Sequence, residues 1–195
     1  MIRFCDIFFS GVGLVLLSPL FLVLYVLIRI GSRGGGFYSQ ERIGKDGVPF
    51  RLYKFRSMRQ DADKQGLITV GGRDPRITKV GYFIRKYKLD ELPQLWNVFI
   101  GDMSLVGPRP EVEKYTRLYS EEQRKVLSVR PGITDWASIE YVDENRILGE
   151  ADDPDKAYVE QIMPDKIRYN MIFINHQTVG EYFKIIFTTF FKILR

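Results

Sequence analysis

The sequence of 195 residues contains one cysteine, Cys5, and one histidine, His176. A single cysteine cannot form an internal disulfide, and it cannot complete a CxxC metal or redox site. The catalytic schemes Ser-His-Asp, Cys-His and HExxH each need an imidazole at a defined position. Because the chain has a single histidine, these schemes are weak candidates for its chemistry. We expect His176 to be structural, in a chain long enough for one domain of ordinary size.

The sequence also lacks the features of a cleavable signal peptide. Only Arg3 precedes the first apolar run, with Asp6 close behind it, and no Ala-x-Ala-like site closes the run. The run covers residues 7–28, which are 22 residues without a charged side chain. A helix of that length measures about 33 Å, enough to cross a bilayer. We therefore expect a retained membrane anchor.

Ser18 and Pro19 lie in the middle of this apolar run. Proline removes one backbone hydrogen bond and disfavours helical dihedrals in the residue before it, so we expect a bend there. Each half is too short to span a bilayer, which favours a re-entrant hairpin, although a kinked span stays open. Arg3 and Arg29 place positive charge at both ends, which is compatible with both ends being cytoplasmic.

The C-terminal segment, residues 181–195, carries polar side chains every three or four positions, with aromatic and branched aliphatic residues between them. This spacing predicts an amphipathic helix. Lys184, Lys192 and Arg195 on its polar stripe suit a bilayer interface. A helix docked on the protein core is the equal alternative.

Charge is distributed unevenly along the chain. Residues 51–88 hold eleven Lys or Arg against three Asp, a local charge of +8, whereas residues 111–165 hold seven basic and fourteen acidic residues, a local charge of −7. The positive segment could hold phosphates, nucleic acid or anionic lipid headgroups. A solvated basic face is the simpler interpretation of such a run.

Short patterns predict the local structure between the ends. Residues 37–40 and the alternating residues 49–56 read as strands, with a turn at Lys45-Asp46-Gly47 between them. Residues 78–88 and 92–99 read as helices, and residues 60–72 as a loop or a short helix. An acidic turn at residues 151–155 opens a further helix.

Asp90 and Glu91 are adjacent carboxylates just before Pro93. Proline is well accommodated in the first turn of a helix, so Asp90 is a candidate N-cap. Alternatively, a carboxylate at a helix start, beside a basic segment and a second carboxylate, can share a divalent cation with a diphosphate. The residues alone leave these two interpretations even.

Arg109 and Arg130 lie in two segments that glycine and proline make stiff, residues 101–110 and 130–134. An arginine held in this way is a bidentate donor suited to a phosphate oxygen. The competing interpretation pairs both arginines with the acidic residues 111–165.

Five motifs in the chain resemble, in order and composition, those of the bacterial sugar transferase family, the monotopic phosphoglycosyl transferases. They are Lys54-Phe55-Arg56-Ser57-Met58, Asp74-Pro75-Arg76-Ile77-Thr78, residues 89–98, residues 101–110 and residues 130–134. The resemblance covers nearly the whole chain, including the central Ser-Pro of the apolar segment. A chance match across five ordered motifs is negligible.

The resemblance implies transfer of a sugar 1-phosphate from a UDP-sugar to polyprenyl phosphate, with release of UMP, as the first membrane step of glycoconjugate assembly. It implies that Asp90 attacks the sugar-bearing phosphate and forms a covalent intermediate, while Glu91 and Mg²⁺ assist. A carboxylate is ionised at neutral pH, so this nucleophile needs no histidine base. Asp90 and Glu91 are then also the candidate metal ligands.

The same chemistry needs positive charge around the phosphates. The candidate phosphate-binding residues are Lys54, Arg56, Arg85, Arg109 and Arg130. The implied partners are the UDP-sugar, polyprenyl phosphate and membrane lipids, with no nucleic acid, and a homodimer is left open. The implied location is the cytoplasmic face of the bacterial inner membrane.

The expected fold is α+β: a mostly helical, small globular domain with a short β element, a re-entrant membrane helix and amphipathic interfacial helices. Residues 1–32 form the anchor and residues 33–195 the catalytic domain.

The chain departs from better-known branches at Asp135-Trp136-Ala137-Ser138, where those branches read Gly-Trp-Ala-Gln. The donor sugar therefore cannot be carried over. Two other functions are weighed: an anionic-lipid-binding module without turnover, and a transferase that moves only the sugar and releases UDP.

Overall fold

Helices form most of the fold in the computed structural model, which describes residues 1–62, 66 and 74–193, and the predicted α+β class is confirmed. The ten α-helices of the described residues are α1 (Ile2–Leu16), α2 (Ser18–Gly31), α3 (Lys79–Lys86), α4 (Gln94–Ile100), α5 (Glu113–Thr116), α6 (Trp136–Glu140), α7 (Glu144–Gly149), α8 (Pro154–Ala157), α9 (Met163–Asn175) and α10 (Val179–Ile193). The described strands are β1 (Phe37–Ile43), β2 (Pro49–Phe55), β3 (Ser104–Val106) and β4 (Gly132–Thr134). Most of the segment predicted at residues 60–72 lies outside the described residues.

The N-terminal apolar segment is two helices rather than one. α1 and α2 meet at Leu17 at an angle of 60°, where the sequence places Ser18 and Pro19. The Ser18 hydroxyl donates to the Val15 carbonyl at 2.8 Å, a bond that caps the end of α1. Among the described helices none is long and apolar enough to cross a membrane alone, whereas this bent pair is when taken together.

Polar contacts fasten α1 to the rest of the protein. Asp6 is 2% exposed, although it lies on a helix of mostly apolar residues. Its Oδ1 accepts hydrogen bonds from the Ser104 hydroxyl at 3.0 Å, the Leu105 amide at 3.0 Å and the Tyr182 hydroxyl at 2.8 Å. One buried carboxylate thus joins α1, β3 and α10.

Replacing Asp6 with alanine should lower the free energy of unfolding by about 3 kcal/mol, because three donors, two of them buried, lose their shared acceptor. Denaturant unfolding in detergent would measure the loss. The exposed Asp152, changed to alanine, is the control and should stay within about 0.5 kcal/mol of the unmodified chain. A similarly small loss for Asp6→Ala would show that the donors find other acceptors.

α2 is fastened by apolar packing and by one arginine. Leu24 and Ile28 are buried against Phe55 of β2 and Ile84 of α3. At the end of α2, the Arg56 guanidinium donates to the carbonyls of Ser32 and Arg33. Residue Arg56 therefore links the end of the helix pair to the strand hairpin.

β1 and β2 form the predicted antiparallel hairpin, with Phe37 opposite Phe55. Its turn is the predicted Lys45–Gly47, in which Asp46 adopts a left-handed φ of 57°. Leu52 and Phe55 point into the core, whereas Lys54 faces a cleft described below. Leu52 and Phe55 lie on opposite faces of β2 and belong to two separate buried clusters, so both faces of the strand carry buried residues and the simple alternation expected from the sequence is not kept.

Two segments expected to be loops contain the short parallel strands β3 and β4. The two strands lie close together because each has a glycine in or next to its paired residues. A Cβ added to Gly132 would lie 2.1 Å from the Gly107 amide nitrogen, a distance that no side chain allows. The two arginine-bearing motifs are thereby held side by side.

The C-terminal half packs around buried aromatic and aliphatic residues of α5, α7, α9 and the turns between them. α10 packs into a separate buried cluster through Tyr182 and Ile185, which are both 0% exposed, together with Val106 of β3, Ile139 of α6 and Phe173 of α9. Phe187, Phe190 and Phe191 of the same helix are 59–65% exposed. The alternative of a docked helix is confirmed for one face, and the bilayer-interface role of the exposed aromatic face stays a prediction. Arg195 lies outside the described residues.

Candidate active site

Asp90 and Glu91 lie in a single 3₁₀ turn, Leu89–Glu91, between α3 and α4. Lys88 enters the turn with a left-handed φ of 55°. The prediction that Asp90 caps the following helix is wrong, because α4 starts at Gln94 and its N-cap is Pro93, without a side-chain cap. The extra turn before Pro93 moves the N-cap position three residues past Asp90. This releases the Asp90 carboxylate from any capping role.

Glu91 is the restrained member of the pair. Its carboxylate accepts two hydrogen bonds from the Arg109 guanidinium, Nη1 to Oε2 at 3.2 Å and Nη2 to Oε1, and a third from Lys54 Nζ at 3.3 Å. Its side chain is 11% exposed. Burial alone raises the pKa of Glu91, but the charges of Arg109 and Lys54 outweigh burial and hold that pKa well below its usual range. Glu91 is a fixed anion.

Asp90 is buried but open. It is 6% exposed, and within the described residues no donor or cation is bonded to its carboxylate. Burial, followed by the charge of Glu91, raises the pKa of Asp90, while Lys54, Arg85 and Lys88 oppose the rise. The net result is a pKa of Asp90 above its usual value, a shift that the sequence reasoning did not anticipate.

Both carboxylates face a cleft of about 610 Å³. The cleft is lined by residues of β1 and β2, of the turn at Asp90, and of α6, α7 and α9. Of the predicted phosphate-binding residues, four line this cleft: Lys54, Arg56, Arg85 and Arg109. A cleft of this size suits a ligand of nucleotide-sugar dimensions.

The predicted cations differ in how far their donors are already engaged. Arg56 points most of its guanidinium at backbone carbonyls of residues 32–33, and Arg85 Nη1 lies 3.5 Å from the Ser57 hydroxyl. Arg130 lies away from the cleft residues, and its Nε donates to the Gly101 carbonyl at 2.8 Å. Its assignment to a phosphate stays a prediction.

The Arg109 side chain does not pair with the acidic residues 111–165, as the competing interpretation expected. Its guanidinium binds Glu91, outside the acidic segment 111–165, and only its backbone amide reaches that segment, donating to Asp135 Oδ2 at 3.2 Å. Asp135 also caps α6 through the Ser138 amide. Asp135 thus anchors the Arg109 loop by its backbone and leaves the Arg109 side chain free to face Glu91.

The sequence reasoning missed a second charged cluster in the same cleft. Its members are Arg42, Glu111, Glu144, Tyr158 and Lys166. They come from β1, the loop after Pro110, α7, a π-helical turn (Tyr158–Ile162) and α9. No sequence signal could have joined them, because Glu111 alone adjoins a recognised motif.

No three acidic, histidine or cysteine side chains in the described parts of the chain come together as a metal site. Mg²⁺ commonly uses one or two carboxylates and takes its other ligands from phosphates and water. Asp90 fits such a role because its carboxylate is open. Glu91 would first have to give up Arg109 or Lys54.

The chain is similar to several known proteins. The family model for bacterial sugar transferases matches residues 1–195. A UDP-glucose:undecaprenyl-phosphate glucose-1-phosphate transferase of Klebsiella pneumoniae is 39% identical over 193 residues, which cover 97% of this chain and 39% of that protein. A UDP-N-acetylgalactosamine-undecaprenyl-phosphate N-acetylgalactosaminephosphotransferase of Aeromonas hydrophila is 37% identical over 195 residues, which cover 98% of this chain and 43% of that protein.

A third relative is the exopolysaccharide production protein ExoY of Rhizobium meliloti (strain 1021), 39% identical over 147 residues, which cover 68% of this chain and 65% of that protein. The chain therefore spans about two fifths of the length of the first two relatives and about two thirds of the third. Because the family model covers every residue, including the Asp90-Glu91 turn and the Arg109 loop, the chain belongs to the bacterial sugar transferase family.

Proposed function

We propose that this chain transfers a sugar 1-phosphate from a UDP-sugar to polyprenyl phosphate through a covalent intermediate on Asp90, with release of UMP. One observation carries the proposal: an open, buried carboxylate stands beside a second carboxylate that two cations hold in place. The printed names of the Klebsiella and Aeromonas relatives describe this class of reaction. They support the extension to this chain.

The two chemical steps exchange one phosphorus–oxygen bond at a time. A carboxylate oxygen of Asp90 attacks the sugar-bearing phosphorus, and the bond to the bridging oxygen breaks, so that UMP leaves with the electron pair. An oxygen of polyprenyl phosphate then attacks the same phosphorus and displaces Asp90. Neither nucleophile has to lose a proton in the step, which agrees with the absence of a histidine from the cleft.

The protein contributes mainly charge and position to such a reaction. Lys54 and Arg109 lie beside Glu91, and Arg85 and Lys88 lie close enough to affect Asp90. These four cations can offset the negative charge of a diphosphate. Glu91 keeps Arg109 and Lys54 in place, so we assign it a positioning role.

Mg²⁺ remains the proposed cofactor, bound through Asp90 and the phosphates of the donor. It would neutralise charge on the diphosphate. Loss of activity in EDTA and recovery with added Mg²⁺ would support this proposal. Activity that survives exhaustive chelation would exclude it.

We further propose that α1 and α2 form a re-entrant hairpin in the bacterial inner membrane, with the cleft on its cytoplasmic face. The 60° bend and the exposed apolar residues of both helices support the proposal. Single cysteines at positions 2 and 32, in a chain without Cys5, should both react from the cytoplasmic side. Labelling from opposite sides would establish a span.

A panel of UDP-sugars tests the reaction itself. Purified protein in detergent with Mg²⁺ and polyprenyl phosphate should release UMP from at least one donor. Release of UDP would instead indicate transfer of the sugar alone. An absence of nucleotide release with every donor, combined with binding to anionic vesicles, would favour the lipid-binding module.

Lys54 should give the reaction an alkaline limit. Burial lowers the pKa of Lys54 to about 8, and the charge of Glu91 opposes the shift only in part. Because the protonated form supplies the positive charge, kcat/KM should fall as pH rises through about 8. Lys54→Arg should remove this fall, since arginine stays charged.

A pH profile of kcat/KM for both proteins is the measurement. Lys45→Arg is the matched control, because the Lys45 side chain is 47% exposed and outside the cleft, and it should keep the fall. An unchanged alkaline limb in Lys54→Arg would assign the limb to another group.

A further inference from the structure

The second charged cluster is neutral in sum, unlike the region around Asp90. Arg42 Nη1 lies 3.8 Å from Glu111, and the Tyr158 hydroxyl donates to Glu111. Lys166 Nζ donates to Glu144 Oε2 at 3.0 Å and lies 3.9 Å from Glu111. Two cations and two carboxylates therefore balance one another in this part of the cleft.

Glu144 differs from Glu111 in having an open oxygen. Glu111 is 13% exposed and is approached by three partners, whereas the Glu144 side chain is 27% exposed. Its Oε2 is held by Lys166, which is 8% exposed, and its Oε1 has no donor among the described residues. A buried lysine thus orients a carboxylate whose other oxygen is free to accept hydrogen bonds from the cleft.

The charge of this open Glu144 carboxylate favours the neutral part of a nucleotide sugar over its phosphates. An ionised carboxylate repels phosphate oxygens, so the diphosphate belongs with Lys54, Arg85 and Arg109. Hydroxyl groups, in contrast, donate well to a carboxylate. Glu144 lies close enough to Arg109 to raise the pKa of that arginine, after the larger effect of Glu91. The neutral end and the phosphate end of the cleft therefore meet at Arg109.

Neutral groups on the same wall suit the same kind of ligand. Asn145 follows Glu144 on α7, and Ser138 of α6 lines the same cleft. The Ser138 hydroxyl oxygen is buried without a partner among the described residues, a state that a rotation toward a bound hydroxyl would relieve.

We propose that Glu144 binds hydroxyl groups of the donor, and that this end of the cleft holds the neutral, polyol part of the UDP-sugar. Lys166 acts as a positioning residue for Glu144. The proposal rests on the proposed function for its ligand. Two parts of the donor carry such hydroxyls, namely the transferred sugar and the ribose of uridine, and the experiment below separates them.

Glu144→Gln is the main variant, because glutamine keeps the shape of the side chain and removes its charge. The KM for the UDP-sugar should rise about ten-fold, with kcat within about three-fold of the unmodified enzyme, because Glu144 does not touch the reacting atoms. Glu140→Gln, on the exposed side of α6 and outside the cleft, is the matched control and should leave KM unchanged.

Inhibition by UMP identifies the source of the hydroxyls, because UMP carries the ribose without the transferred sugar. If the sugar binds Glu144, the UMP inhibition constant should stay within two-fold in Glu144→Gln, and the ratio of kcat/KM between UDP-sugars that differ at one hydroxyl should change. If the ribose binds there, UMP inhibition should weaken as much as the KM. Either result supports the polyol site.

A KM within two-fold of the unmodified enzyme, in a folded and active Glu144→Gln protein, would overturn the inference. Glu144→Asp covers the case in which the glutamine variant does not fold, because aspartate keeps a charge for Lys166 but withdraws the carboxylate by one methylene. It should also raise the KM, and an unchanged KM would count against the site. The proposed function fails separately, if the unmodified chain releases UMP from no UDP-sugar.

Discussion

Asp90→Asn should lower the rate of UMP release by about 1000-fold or more, because an amide cannot displace UMP from the sugar-bearing phosphorus. Asparagine has nearly the same shape, and no described residue is bonded to the Asp90 carboxylate, so the fold should be retained. Removing a buried carboxylate whose pKa is raised by burial should also leave stability unchanged or slightly higher. UMP release and thermal unfolding of the same preparation measure both effects.

The exposed Asp152, changed to asparagine, is the matched control and should keep full activity. The covalent step has its own readout. Unmodified protein incubated with a UDP-sugar and no acceptor should gain the mass of one sugar phosphate, and Asp90→Asn should gain none. An asparagine variant that turns over normally would exclude Asp90 as the nucleophile.

Arg109→Ala should lower kcat about 100-fold, the size of effect expected when a fixed cation at a site of charge development is lost. The change removes the two-point contact to Glu91 and leaves that buried carboxylate with Lys54 alone. Arg109→Lys should recover only part of the loss, because an ammonium group cannot make both bonds at once. Steady-state rates of UMP release with saturating donor measure the effect.

Arg146→Ala is the control for Arg109, since Arg146 is 67% exposed and pairs with Glu150 on the protein surface. Its rate should match that of the unmodified chain. If Arg109→Ala kept at least one third of the rate, the guanidinium would have only a structural duty toward Glu91, and the assignment of Arg109 to the phosphates would fall.

Local pattern was enough to find most elements of the first half of the chain. The alternation along residues 49–56 and the turn at Asp46 predict the hairpin because both signals lie within a few residues. β3 and β4 were not predicted, because their pairing depends on the approach of Gly107 to Gly132, two residues far apart in sequence. A glycine–proline pattern indicates a stiff segment, but it does not predict which other segment packs against it.

The candidate site shows the same division. Motifs brought Lys54, Glu91 and Arg109 into one hypothesis, and the structure places these three in direct contact. The cap assigned to Asp90 failed because one extra 3₁₀ turn separates it from α4, a detail that a proline three residues later does not encode. Glu144 and Lys166 could not be found, because only the packing of α7 against α9 brings them together.

The fastening of α1 and α2 also determines how the cleft relates to its surroundings. Arg3 donates to the carbonyls of Val98 and Phe99 at the end of α4, Asp6 ties α1 to β3 and α10, and Arg56 ties the end of α2 to β2. Because these contacts tie the helix pair to the elements around the cleft, a bilayer that held the proposed hairpin would also set the height of Asp90 relative to the lipid headgroups. Thinning or thickening the bilayer would then tilt the whole protein. Asp90 could react only with acceptors whose phosphate lies at that height.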